Sequence, residues 1–302
     1  MELKIGTRGS RLALIQTQQV VDAILQIAPN TNIETVIITT KGDRILNKSL
    51  DKIGDKGLFV AEIEEKLHTG EIDIAIHSMK DLPSIMDEGL DVLPILKRED
   101  PRDVLVTRHP IQEITDLANS PIIGTGSQRR QQQLLSMNPN IEIVPIRGNV
   151  ETRIQKMLDQ AMDGTVLAYA GINRLGLISN TKYRIIPFHV HQMIPAPAQG
   201  IIGCQLRKND QNIRQLIERL VDPITKRQCD VERLFLKEVQ GSCHLPMGAY
   251  LEILNEEEGR IYGLYGDQVG QKVARKEQNC RLDEAEAMMK TLAYNLVRKV
   301  KG

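Results

Sequence analysis

The chain has 302 residues, and its 39 Lys+Arg balance 39 Asp+Glu, so the formal net charge is zero. With 3% aromatics and no Trp it is a poor general nucleic-acid binder, and any basic patch must be local. A hydrophobic fraction of 41% supports sizeable cores in two or three domains, and no apolar run approaches the roughly 18 residues of a membrane-spanning helix.

Leu3 to Thr7 reads as a strand that starts at once after Met1-Glu2, with no signal-peptide core. Arg8-Gly9-Ser10 is then a tight loop, and Ser10 is positioned to cap a helix with Leu14, Val21, Ile24, Leu25 and Ala28 on its apolar face. Ile33 to Thr39 is a second strand, followed by a polar, glycine-punctuated stretch over Asn47 to Lys56 that is expected to be mobile. A helix from Leu58 to Gly70 carries Phe59, Ile63 and Leu67 on one face. In IDIAIHSMKDLP, Ile72 to Pro83, the apolar residues alternate as in a strand. That strand runs into Ser78, Lys80 and Asp81, and the carboxyl end of a strand is where open α/β sheets build their sites.

Leu90 to Leu96 and Val104 to Thr107 read as strands around Lys97 to Pro101, the expected first crossing between domains. The strand-loop-helix theme restarts at Ile122, with GTGSQRR leading into a helix to Met137. Ile141 to Ile146 leads into Arg147-Gly148-Asn149 and a helix over Val150 to Asp163. Val166 to Ala170 is a strand that leads into Gly171-Ile172-Asn173-Arg174, and His189 and His191 alternate on one strand face without a third metal ligand nearby. Pro195 to Gly200 is the expected second crossing, before a strand at Ile201 to Leu206.

Asp222-Pro223 reads as a break, followed by a helix from Cys229 to Gln240 with Val231, Leu234, Phe235 and Val239 inward. After a loop over Gly241 to Gly248 come three antiparallel strands, Tyr250 to Leu254, Arg260 to Tyr265 and Lys272 to Lys276. A last helix carries Ala285, Met288, Met289, Leu292 and Leu296.

Cations recur at apparent strand ends and helix starts: Arg8, Lys41, Lys80, Arg129, Arg130, Arg147, Arg153 and Arg174. A lone arginine is most often a surface ion pair. A repeated pattern on a neutral chain points instead to a cleft between two α/β domains that holds a polyanion, because helix N-termini and guanidinium forks both favour carboxylate or phosphate. Hydroxyl and glycine neighbours at Ser10, Ser78, Thr125, Gly126 and Ser127 suit a close backbone approach. GxxxxGK[ST] and GxGxxG are both missing, so separated carboxylates fit better than a nucleotide. The cysteines, Cys204, Cys229, Cys243 and Cys280, form no CxxC pair and no zinc pattern. Cys243 lies in a loop of small residues beside His244, where a thiol can ionise and act as a nucleophile; the plain alternative is an idle thiol.

TRGSRLALIQ (Thr7 to Gln16), KGLFVAEIE (Lys56 to Glu64), IDIAIHSMKDLP, GTGSQRRQ, IRGNVETR (Ile146 to Arg153), AGINRLG (Ala170 to Gly176) and GSCHLPMGAY (Gly241 to Tyr250) occur in this order along nearly the whole chain. Together they resemble the porphobilinogen deaminase, or hydroxymethylbilane synthase, family. The resemblance implies two periplasmic-binding-protein-like α/β domains, 1–98 with 197–220 and 99–196, plus a small α+β domain, 221–302, carrying the cofactor cysteine. It implies a cytoplasmic, monomeric transferase of haem biosynthesis that joins four porphobilinogen molecules head to tail and releases ammonia. No metal, membrane or nucleic acid is expected to take part.

By the same resemblance Cys243 holds a dipyrromethane cofactor through a thioether, and Asp81 is the catalytic carboxylate. Arg8, Ser10, Lys80, Arg129, Arg130, Arg147, Arg153 and Arg174 bind acetate and propionate groups of cofactor and substrate. Ser78, Thr125, Ser127 and Gln199 complete the expected binding set, and Lys52 and Phe59 belong to a mobile active-site loop and its edge. Arg11, Gly126, Gln128, Ala198, Ser242 and His244 depart from the family's usual residues. Each pyrrole carries two carboxylates, so a growing chain explains many arginines on a neutral protein. A carboxylate beside the pyrrole N–H groups would stabilise the cationic azafulvene left when ammonia departs. The competing reading is a two-lobed, non-enzymatic polyanion-binding protein, which explains the arginines and crossings but not Cys243 or Asp81.

Overall fold

A computed structural model describes residues 1–40, 60–117, 119–179, 181–239, 245–267 and 272–302. Lys41, Lys52, Phe59, Cys243 and the Asn47 to Lys56 stretch lie outside the described residues.

The chain opens with β1 (Glu2–Arg8), α1 (Arg11–Ile27) and β2 (Asn32–Ile38). Ser10 caps α1 as expected, its Oγ accepting from the Ala13 N–H at 3.3 Å. The buried face of α1 is nevertheless Gln16, Thr17, Val20 and Ile24, while Leu25 is exposed. Two polar residues can turn inward because each has a partner: Gln16 on Ser78, and Thr17 on the Ala13 carbonyl. Next come α2 (Ala61–Thr69), burying Ile63 and Leu67, then β3 (Ile74–Ser78), a 3-10 turn at Met79–Asp81, and β4 (Leu90–Ile95).

Beyond the first crossing lie β5 (Asp103–Thr107), β6 (Ile122–Gly124), α3 (Gln128–Met137), β7 (Glu142–Val144), α4 (Val150–Asp159), β8 (Gly164–Ala168), α5 (Tyr169–Arg174) and β9 (Arg184–Pro187). Helix α5 takes up Gly171 to Arg174, and β8 ends two residues earlier than its reading. Helix α4 stops at Asp159, short of the expected Asp163. His189 and His191 lie in a turn after β9, not on a strand, with their rings stacked 5.4 Å apart. No metal-binding cluster occurs among the described residues.

The chain then returns as β10 (Ile202–Arg207), α6 (Gln211–Glu218) and α7 (Pro223–Glu238). Asp222-Pro223 is a helix start and not a break. Asp222 Oδ1 accepts from the Thr225 N–H at 2.8 Å, and Pro223 takes the first helical position, where its missing N–H costs nothing. Glu232 rather than Leu234 is buried on α7. Strands β11 (Met247–Ile253), β12 (Glu258–Gly266) and β13 (Val273–Arg281) form an antiparallel sheet, longer than the sequence suggests, and α8 (Ala285–Lys301) packs against it. No described helix is long and apolar enough to cross a membrane.

Contacts divide the chain into Met1–Glu99 with Gly200–Cys229, and Asp100–Gln199 with Asp230–Gly302. The first unit has the sheet order β2-β1-β3-β10-β4, with β10 antiparallel to both its neighbours. The second has β7-β6-β8-β5-β9, with β5 antiparallel to both of its own. The two orders match position for position, and the reversed strand in each is the one entered directly from a crossing. Both faces of each sheet are covered. Leu3, Ile5, Ile74 and Ile76 pack on one side of the first sheet, and Ile38, Ile72 and Ala75 on the other. Val104 and Val106 share one side of the second sheet, and Leu105, Ile123 and Val166 the other. Strands buried on both faces read as near-continuous apolar runs, as DVLVT does.

Candidate functional site

The predicted groups gather, within each unit by itself, at the carboxyl ends of its parallel strands. In the first unit Arg8 is the last residue of β1, and Ser10, one residue beyond Gly9, caps α1. Ser78 ends β3 and shares reciprocal hydrogen bonds with the Gln16 side-chain amide at 3.1 and 3.2 Å. Lys80 and Asp81 follow in the 3-10 turn. Buried Met79 pins that turn, donating its N–H to the Ile201 carbonyl at 3.0 Å, while Asp81 stands exposed.

His77, just before Ser78, is buried. Glu64 accepts from Gln205 Nε2 at 2.8 Å, which turns Gln205 Oε1 towards His77 Nε2 at 3.0 Å. An amide oxygen only accepts, so Nε2 carries the proton. Burial, opposed by the Gln205 hydrogen bond and helped by the charge of Arg8, brings the His77 pKa down to about 4, so the ring is neutral near pH 7.

In the second unit Thr125 and Ser127 follow β6. Thr125 Oγ accepts from the Ser127 N–H at 3.2 Å, and Ser127 caps α3. Arg129 and Arg130 lie in the first turn of α3, both nearly fully buried, and both pair with Asp103 at the head of β5. Arg147 precedes α4, and Arg153, inside α4, donates from Nε to the Gly148 carbonyl at 2.7 Å. Arg174 ends α5, so it belongs to a helix C-terminus and not to the strand end or helix start expected of it. Gln199 is fully buried and donates to Asp103 and to the Pro101 carbonyl.

The structure thus brings together Arg8, Ser10, Ser78, Lys80 and Asp81 on one sheet edge, and Thr125, Ser127, Arg129 and Arg130 on the other. Cys243, Lys52 and Phe59 lie outside the described residues. The described cysteines are buried, with Cys204 fully so, and burial raises the thiol pKa of Cys204 and of Cys280. Sequence reasoning passed over Gln16, His77 and Asp103. Asp103 had a signal of its own: a carboxylate heading a strand buried on both faces must be paired.

Models of the family match most of the chain. "Porphobilinogen deaminase, dipyromethane cofactor binding domain" matches residues 3–215, and "Porphobilinogen deaminase, C-terminal domain" matches residues 226–298. The porphobilinogen deaminase of Clostridioides difficile (strain 630) is 50% identical over 276 residues, covering 91% of this chain and 90% of that protein. That of Clostridium novyi (strain NT) is 44% identical over 300 residues, covering 99% and 100%. Among solved structures, the probable amino-acid ABC transporter extracellular-binding protein ytmK from Bacillus subtilis aligns at 11% identity with a TM-score of 0.46, over 73% of this chain and 90% of that one. A likeness at that level carries no argument about this chain.

Proposed function

The chain belongs to the porphobilinogen deaminase family, and from that premise we propose how its own residues carry out the reaction. It is a transferase of tetrapyrrole biosynthesis that joins four porphobilinogen molecules head to tail into hydroxymethylbilane and releases ammonia. The competing non-enzymatic polyanion binder is set aside by the family match. The dipyrromethane group supplies a covalent primer with a free ring carbon to extend.

The observation that carries this reading is the gathering of cations and hydroxyls at the carboxyl ends of the parallel strands in each unit. Such a set suits the acetate and propionate groups of pyrroles. Arg8, Ser10, Ser78 and Lys80 in one unit, and Thr125, Ser127, Arg129, Arg130, Arg147, Arg153 and Arg174 in the other, bind those carboxylates, with Gln199 fixing the arginine pair. By the family resemblance Lys52 and Phe59 also serve to bind cofactor or substrate. Asp81, a carboxylate beside Lys80, stabilises the positive charge that develops on the substrate as ammonia leaves, and it relays protons. Cys243 holds the primer; burial of Cys204, Cys229 and Cys280 supports that choice.

Three domains follow on this reading, 1–98 with 197–220, 99–196, and 221–302, the last carrying the primer. The enzyme works as a cytoplasmic monomer without nucleic acid. The test is intact mass of the purified protein together with ammonia release on porphobilinogen. A covalent dipyrrole with ammonia release is expected; a bare chain that leaves porphobilinogen unchanged overturns the reading.

A further inference from the structure

Arg129 and Arg130 are neighbours on α3, and neighbouring side chains leave a helix about 100° apart. Their guanidinium groups nevertheless converge on one carboxylate. Asp103 Oδ2 accepts from Arg129 Nη1 at 2.6 Å, and Oδ1 accepts from Arg130 Nε and Nη2 at 3.0 and 2.8 Å. Asp103 is 0% exposed, and both arginine side chains are nearly as buried. Two cations brought together away from water repel steeply, so the shared carboxylate is what permits the pair.

The other contacts fix the direction of each fork. Arg130 Nη1 donates to the Val166 carbonyl at 2.8 Å. Arg129 Nη1 also donates to the Ile194 carbonyl at 2.7 Å, so both hydrogens of that nitrogen are used. Among the described residues no acceptor pairs with the Nε–Nη2 edge of Arg129, the edge that matches a carboxylate with two parallel bonds. Gln199 donates to Asp103 Oδ1 at 3.1 Å, which ties the same carboxylate to the second crossing.

We propose that Asp103 is a positioning residue of the reaction. It draws Arg129 and Arg130 into one convergent pair and holds Arg129 so that its Nε–Nη2 edge takes a pyrrole carboxylate of primer or substrate. Asp103 touches no substrate, because N–H groups of the protein already occupy both its oxygens. The proposal rests on the reading that these arginines bind the pyrrole carboxylates.

The test is a double-mutant cycle in the full chain, using Asp103→Asn, Arg129→Gln and the pair together. Each protein is measured for thermal midpoint, covalent dipyrrole by intact mass, and KM and kcat on porphobilinogen. Asp103→Asn should either lose the dipyrrole while staying folded, or keep it with KM raised at least about tenfold and kcat changed less. A purely structural role would lower the thermal midpoint without separating KM from kcat. Asp103→Asn with Arg129→Gln should lose less than the two single losses multiplied, because Asp103 acts in part through that arginine.

If Asp103→Asn fails to fold, the charge-balanced double variant should fold and lose function in the same way as Arg129→Gln, in dipyrrole content or KM more than in kcat. Values for Asp103→Asn within about twofold of the parent overturn the proposal, as do losses that multiply in the double variant, or a double variant that does not fold. A parent protein that lacks the dipyrrole overturns the functional reading instead, whatever Asp103 does.

Discussion

His77 donates from Nε2 to Oε1 of Gln205 across 3.0 Å, with the imidazole buried beneath the sheet edge that carries Ser78, Lys80 and Asp81. Burial holds its folded pKa near 4, against 6.5 in an open chain. Between these values the unfolded chain takes up a proton that the folded chain refuses. The contribution is therefore complete above about pH 6.5 and is lost as pH falls towards about 4, for a total of about 3 kcal/mol. His77→Gln should flatten this part of the stability–pH curve. Denaturant unfolding at pH 7 and pH 5 measures it, and equal losses in parent and variant would count against a neutral buried His77.

Glu232 should be a second point of sensitivity. It is fully buried on α7 and accepts from the Ala198 N–H at 2.7 Å and from the Leu251 N–H at 3.1 Å. Ala198 itself has φ +59, which costs an L-residue roughly 1–2 kcal/mol and needs support from its neighbours. Glu232→Leu strands two buried N–H groups at about 1–3 kcal/mol each. A loss of at least about 2 kcal/mol is expected, and a smaller one for Glu232→Gln, which keeps one acceptor. Chemical denaturation decides; equal stability of the Leu and Gln variants would refute the role.

Interactions that close within one helical turn are legible in the sequence. Ser10 before an apolar-periodic run does cap α1, and Ile63 and Leu67 do turn inward. The repeated strand-loop-helix theme also reads correctly, because doubly covered strands leave long apolar runs. What is hidden depends on partners far apart in the chain: Arg129 finds Asp103 26 positions away, and His77 finds Gln205 128 away. No local pattern reports either pairing. Asp222-Pro223 was readable but ambiguous, since the residues that break one helix also begin another.

Cys243→Ser should give a folded protein without the dipyrrole adduct. The described thiols are poor competitors for the primer, being buried, with those of Cys204 and Cys280 held in the protonated form. Peptide mapping of the parent should place the adduct on the peptide containing Cys243. An adduct on Cys204, Cys229 or Cys280 would remove Cys243 from its role.

Asp81 offers the sharpest separation of chemistry from fold. Its turn is held by Met79, which is buried and hydrogen-bonded to the Ile201 carbonyl, and by the Leu82 N–H donating to the Met79 carbonyl at 3.2 Å. Asp81 itself is exposed, so Asp81→Asn should leave the thermal midpoint unchanged. The substitution keeps the shape and removes the charge that would face a developing cation. Losing one such electrostatic contact commonly slows a reaction about 100- to 1000-fold. We therefore expect Asp81→Asn to carry the dipyrrole and to release ammonia at least about 100-fold more slowly. Asp81→Glu should fall between parent and Asn, because the charge survives while its position shifts. The measurement is single-turnover ammonia release, with dipyrrole content read by intact mass on the same sample. Near-normal release from a fully loaded Asp81→Asn protein would remove Asp81 from the mechanism, whereas slow release with the dipyrrole missing would place Asp81 in primer assembly.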